Sequence, residues 1–102
     1  MYDMTTTGIE HNVRKAYSES KQAFDLSLSA AIRHKWLGSG VHACLEEVAL
    51  AYRQMEPLAR ALAEDSQYGL SPRRGYMWEV TQRRVQFIKL AAEVGYGKPI
   101  FL

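Results

Sequence analysis

The strongest constraint on this chain lies between Val41 and Leu62. Apolar residues there fall at Val41, Leu45, Val48, Tyr52, Met55, Ala59 and Leu62, in alternating steps of four and three that never slip. A repeat of about 3.5 residues marks a helix that meets another helix along its whole length. Cys44, Ala51 and Leu58 widen the stripe on one side, and Glu46, Glu47, Arg53, Gln54 and Arg60 lie mostly off it. Alternation by two, the mark of a strand, is missing. The stretch reads as the central helix of an all-α protein, and its chemistry is packing. Val41, Leu45, Val48, Tyr52, Met55 and Leu62 are the candidate dimer seam.

Pro57 interrupts this repeat chemically but not in phase. It removes the hydrogen bond to the Arg53 carbonyl, and its ring crowds that group. The seam nevertheless keeps its register from Tyr52 and Met55 to Ala59 and Leu62. Two readings follow: a break before Pro57 with a restart, or a kinked, continuous helix. A loop usually loses the phase of the seam, so the kinked helix is expected.

At 102 residues the chain is one domain, 1–102. A helical chain this small leaves apolar surface uncovered unless it associates. Apolar residues make up 47% of it, which excludes disorder of the whole chain. The single Cys44 excludes a disulfide framework and fits a reducing, cytoplasmic setting. No secretory signal is expected from the opening residues, and no apolar run is long enough to span a bilayer.

Residues Met1 to Thr6 show no periodicity and are expected to be mobile. Thr7-Gly8-Ile9-Glu10 fits a capping box. The helix after it places Ile9, Val13, Ala16, Tyr17, Ser20, Phe24, Leu28, Ala31 and Ile32 near one face, and Gly38 stops it after Trp36 and Leu37. Ser18, Ser20, Ser27 and Ser29 dilute the stripe and allow a neighbouring helix to come close. The cluster Arg33-His34-Lys35-Trp36 puts positive charge in the last turn, where it complements the helix dipole.

Ser66 to Leu70 connects the central helix to a third. Ser71-Pro72 reads as N-cap and first helical residue, and Gly95 as the stop after Val94. Gly75 weakens the first turn. The inner face reads Met77, Val80, Arg84, Phe87, Ile88, Ala91 and Val94, whereas Tyr76, Trp78, Val85 and Leu90 do not share it. A helix apolar on more than one side touches its own core and another surface. Arg74 stands in the first turn, where the dipole disfavours a cation. Arginines beside aromatics grip phosphates or acidic protein surfaces. Arg74, Trp78, Arg83 and Arg84 are therefore the candidate partner-binding residues. The tail, 95–102, ends in Ile100-Phe101-Leu102 and is expected to fold into a groove or cross to a second subunit.

The net charge of +2 hides an uneven spread, with an acidic central helix between two basic segments. The simplest reading is mutual attraction on packing; exposed pairs add only about 0–1 kcal/mol each. There is no His-Glu-x-x-His, Cys-x-x-Cys or glycine-rich phosphate loop. His42 and Glu46 stand one turn apart, but two ligands are too few for structural zinc, and His11 and His34 have no matching spacing. Cys44 and His42 do not face each other on a helix. No enzyme, metal or cofactor is expected.

These features describe a three-helix unit with a long kinked central helix that dimerises into a helical bundle. Three stretches, SGVHACLEEVALAYRQMEPLARAL, SPRRGYMWEV and GYGKPIFL, resemble the small quorum-sensing antiactivators of QslA type. The resemblance implies an all-helical homodimer without catalytic activity. It implies binding to the ligand-binding domain of a LuxR-type transcription factor, LasR, which would block that regulator's dimerisation and DNA binding. No family motif maps onto single positions here, so the candidate residues above rest on the helix faces alone. The alternative is a small helical nucleic-acid-binding regulator, supported by Arg73, Arg74, Arg83, Arg84 and Lys89. Against it stand the low net charge and the lack of a short turn between two short helices.

Overall fold

A computed structural model describes the backbone of residues 4–64 and 71–98 and the side chains of 11–63 and 75–98. The described residues form three α-helices: α1, Met4–Leu37; α2, Val41–Glu64; and α3, Ser71–Val94. The all-α class is as expected. The connection 65–70, the last residues 99–102 and the side chain of Arg74 lie outside the described residues.

α1 begins earlier than the capping box suggested. The helix runs from Met4 straight through Thr7 to Glu10. A cap signal competes with simple continuation of the helix, and here continuation prevails. α1 is the longest of the three, at 34 residues against 24 for each of the others. At 1.5 Å per residue it extends about 51 Å, which accounts for most of the 58 Å long axis. The radius of gyration is 15.8 Å, above the roughly 13 Å of a compact chain of this size.

α2 continues through Pro57 without a break. Pro57 is exposed, so its ring falls on the watered side of the helix. α2 packs on both other helices, while α1 and α3 scarcely approach each other. The chain runs antiparallel from α1 to α2 and from α2 to α3, so α1 and α3 are parallel.

The core is built from three seams. From α2 come Leu45, Val48, Ala49, Ala51, Tyr52, Met55, Ala59 and Leu62. From α1 come Tyr17, Ser20, Phe24 and Ala31, and from α3 Val80, Phe87, Leu90 and Ala91. Val13 and Val41 pack against them, partly buried. Ser20 fits because its hydroxyl donates to the Ala16 carbonyl at 2.9 Å, so no polar atom is left bare. The Phe24 and Tyr52 rings meet at 6.4 Å across α1 and α2.

Two left-handed glycines make the short α1–α2 turn. Gly38 has φ +85° and Gly40 φ +79°. The amides of Gly38 and Ser39 both donate to the His34 carbonyl, at 2.9 and 3.3 Å. His34 Nδ1 donates to the Ser39 carbonyl at 2.9 Å, because a carbonyl can only accept. A Cβ on Gly40 would stand 3.0 Å from that nitrogen, whereas one on Gly38 would meet nothing. Gly38→Ala is expected to cost about 1 kcal/mol through its dihedral alone, and Gly40→Ala about 2 kcal/mol because it also displaces His34. Thermal melts of the two variants check the order.

α3 ends at Gly95, φ +71°, with the Tyr96 amide donating to the Ala91 carbonyl at 2.9 Å. Tyr96 then turns back onto the Phe87 ring at 5.9 Å and the His42 ring at 5.5 Å. Its neighbour Lys98 reaches Glu46 at 3.0 Å. The tail thus folds back over α2 and α3 of its own chain as far as residue 98.

Candidate interaction surface

The charges of α1 and α3 are matched in a parallel register. Lys21 pairs with Glu79 at 3.2 Å, Asp25 with Arg83 at 2.8 Å, and Lys35 with Glu93, each pair separated by the same 58 positions. These pairs bridge the gap that the two backbones leave open. The expected attraction of basic helices to acidic α2 is represented by Lys98 and Glu46. Glu56 pairs within α2, with Arg60.

Glu79 is the centre of this network. It accepts from the Tyr17 hydroxyl at 2.5 Å on one oxygen and from Lys21 on the other. Burial raises the Tyr17 pKa far above the ordinary tyrosine range, and the hydrogen bond and charge of Glu79 add to the effect. For Glu79 itself, burial pushes upward, but the hydrogen bonds from Tyr17 and Lys21 and the charges of Lys21 and Arg83 prevail. Its carboxyl lies below its usual range. Tyr76 packs edge-on to Tyr17 at 5.2 Å, and the Lys21 ammonium lies 5.5 Å from the same ring.

The sequence-derived candidates separate sharply. Leu45, Val48, Tyr52, Met55 and Leu62 are buried within one chain, and Val41 packs at their edge. The seam that looked available to a second subunit is filled by α1 and α3. A dimer through it would require the chain to open, because a heptad pattern announces a helical neighbour without saying whose. Arg83 also leaves the partner surface. Its guanidinium forks onto both oxygens of Asp25, at 3.0 and 2.8 Å, and reaches the Glu79 carbonyl, with 17% of the side chain exposed. Arg84 is exposed and also hydrogen-bonds the Tyr52 hydroxyl. Trp78 stands outside the core, 65% exposed.

Within α3 the inner face differs from the expected one at four positions: Tyr76 packs partly buried against the core, Arg84 is exposed, and Leu90 and Ile88 exchange places. Leu90 is buried and Ile88 is exposed. Ile88 joins Trp78 and Val85 on the side away from the core, a grouping the sequence reading missed. The signal was the 3–4 spacing of Trp78, Thr81, Val85, Ile88 and Ala92.

Other exposed apolar residues gather at the end of α1, where Ile32, Trp36 and Leu37 lie. Ile32 and Trp36 border a cleft of about 330 Å³ whose lining includes Leu28 and Leu90. A second cleft, of about 540 Å³, lies between Glu46, Glu47, Leu50, Arg53 and the returning tail. His42 is engaged at the end of α3, where Nε2 donates to the Val94 carbonyl at 3.0 Å. Among the described residues no group of three His, Cys, Asp or Glu side chains could hold a metal, and no helix is long and apolar enough to cross a membrane.

No family model matches the chain, and neither a curated protein nor a solved structure matches it.

Proposed function

We propose that the chain is a non-enzymatic, protein-binding inhibitor that acts in the cytoplasm. In this reading it is an antiactivator: it binds a LuxR-type quorum-sensing transcription factor, LasR in the family it resembles, and blocks that regulator's dimerisation and DNA binding. The observation that carries the protein-binding part is on α3. Trp78, Val85 and Ile88 face outward on a chain whose core is already closed by the opposite side of the same helix. The identity of the regulator rests on the three stretches of sequence resemblance. The same reading includes a homodimer. With the α2 seam filled, the copies would meet through the apolar end of α1, at Ile32, Trp36 and Leu37.

The test combines the purified chain, the regulator and a duplex carrying the regulator's site. The regulator is expected to leave the duplex as the chain approaches equimolar amounts, and the chain alone to shift no DNA. Sedimentation of the chain alone is expected to show twice its mass, and Trp36→Asp to return it to one. A regulator that stays on DNA at excess chain overturns the antiactivator reading. A sequence-dependent shift by the chain alone, steep in salt, would instead favour the nucleic-acid alternative. The structure weakens that alternative at one residue, since Arg83 is occupied with Asp25.

A further inference from the structure

α3 carries two seams in the same rhythm. The inner one runs through Tyr76, Val80, Arg83, Phe87, Leu90 and Val94 and faces the core and α1. The outer one runs through Trp78, Thr81, Val85, Ile88 and Ala92, in steps of three and four. All five outer residues are exposed, with Trp78, Val85 and Ile88 at 65, 41 and 52%. The Thr81 hydroxyl donates to the Met77 carbonyl at 2.9 Å, which leaves its methyl for the seam. A solvated helix face gains nothing from β-branched and aromatic residues, which lower helix propensity. At this spacing they form the knobs of a helix–helix contact.

The charges beside the seam specify what fits. The positions that would flank a docked helix hold Gln82 and Lys89 on one edge and Met77, Arg84 and Ala91 on the other. Lys89 and Arg84 are exposed. The carboxylates of α3 are elsewhere: Glu79 and Glu93 face α1 and are paired there. The seam is therefore bordered by positive charge and by no carboxylate.

We propose that this outer seam docks an acidic amphipathic α-helix of a protein partner, with apolar residues at the same 3–4 spacing and Glu or Asp beside them. This rests on, and deepens, the inhibitor reading by naming the chemistry of the surface it would take. A second copy of α3 does not fit. In a parallel pair Arg84 of one copy would face Lys89 of the other, and in an antiparallel pair each would face its own counterpart; like charges at these positions oppose association. The outside of α2 supplies carboxylates at Glu46 and Glu47, but Leu50 is its one large exposed apolar side chain among the described residues. A phosphate backbone would match the charge and leave Trp78, Val85 and Ile88 unused.

The test uses the full chain and a labelled synthetic helix of about four heptads, with Leu and Ile in its seam and Glu at the flanking positions. The control peptide carries Lys in place of Glu. Fluorescence anisotropy is expected to show at least tenfold tighter binding of the Glu peptide, with the preference shrinking as salt rises. Trp78→Ala and Ile88→Ala are each expected to weaken it about tenfold while the helical circular dichroism and melting temperature hold. Lys89→Glu is expected to narrow the preference for the Glu peptide. Equal binding of the two peptides overturns the proposal, as does binding that survives both alanine variants, or displacement of the peptide by random-sequence duplex DNA. Sedimentation showing a dimer that Ile88→Asp dissolves assigns the seam to a second copy and also overturns it. Regulator capture is measured separately. Capture without peptide binding removes this proposal and leaves the antiactivator reading, and peptide binding without capture does the reverse.

Discussion

Met55→Lys is expected to unfold the chain, or to lower its melting temperature by about 20 °C or more. Met55 has no solvent exposure and shares the core with Phe24, Leu45, Val48 and Phe87. An ammonium at that point either remains charged without water or gives up its proton, and both routes cost several kcal/mol. The whole stability of a domain is about 5–15 kcal/mol, and each kcal/mol shifts the melting temperature by about 4–8 °C at this chain length. Met55→Leu keeps the volume and is expected to stay within about 1.5 kcal/mol of the wild type. The same melts separate the two roles proposed for α2. If Met55 lies in an intrachain core, the loss does not depend on protein concentration. If it lies in a dimer seam, the deficit shrinks as concentration rises. A Met55→Lys protein that melts like the wild type would show that the seam faces water.

The difference between α2 and its neighbours shows what a sequence reveals. On α2 nearly every seam position is a large apolar residue, so periodicity and hydropathy report the same face. α1 keeps the same rhythm through Val13, Tyr17, Ser20, Phe24, Ser27, Ala31 and His34. Serine and alanine fill three of those steps because the neighbouring helix comes close, so the stripe looked weak although Tyr17, Phe24 and Ala31 are buried. On α3 two seams share one helix, and a search for a single apolar face blends them. That is why Ile88 was placed inward and Leu90 outward. The all-α class was legible throughout, since it required only the helical period and the glycine stops at Gly38 and Gly95.

The surface was less legible because it depends on what the rest of the chain covers. Trp78 was placed outside correctly, as its angle on α3 cannot reach the inner stripe. Arg83, expected on the partner surface, lies between α3 and α1. Its step belongs to the inner seam, and nothing local announces that Asp25, 58 positions earlier, completes it. Charge totals by segment suggested that α2 attracts its neighbours, yet Glu79, Asp25 and Glu93 are pairing partners between α1 and α3. Such pairs are set by register between parallel helices, which composition does not contain.

Glu79→Ala is expected to cost about 2–3 kcal/mol, more than any other single change in the α1–α3 ion pairs. It removes the acceptor of the buried Tyr17 hydroxyl and the counter-charge of Lys21 at once, and an unpaired buried hydroxyl beside a lost charge-assisted bond has that magnitude. Glu79→Gln retains an acceptor for Tyr17 and is expected to lose less. The pair of variants also fixes the pH dependence. The Glu79 carboxyl is depressed in the folded chain, so its contribution is fully present above the unfolded carboxylate value of about 4.3 and fades as pH falls through the lower folded value. The stability gap between wild type and Glu79→Gln is therefore expected to be constant from about pH 5 to 8 and to narrow as pH falls below about 4. Tyr17 acts in the opposite direction. Its raised pKa leaves its contribution intact below about pH 10, the unfolded tyrosine value, and lets it fade as pH rises from there toward the higher folded value. Urea titrations of the three proteins from about pH 3 to pH 11 follow both limits. A gap that does not narrow at all as pH falls below about 4 would mean that Glu79 acts through the shape of its side chain and not through its charge, and the ladder between α1 and α3 would then lose its electrostatic explanation.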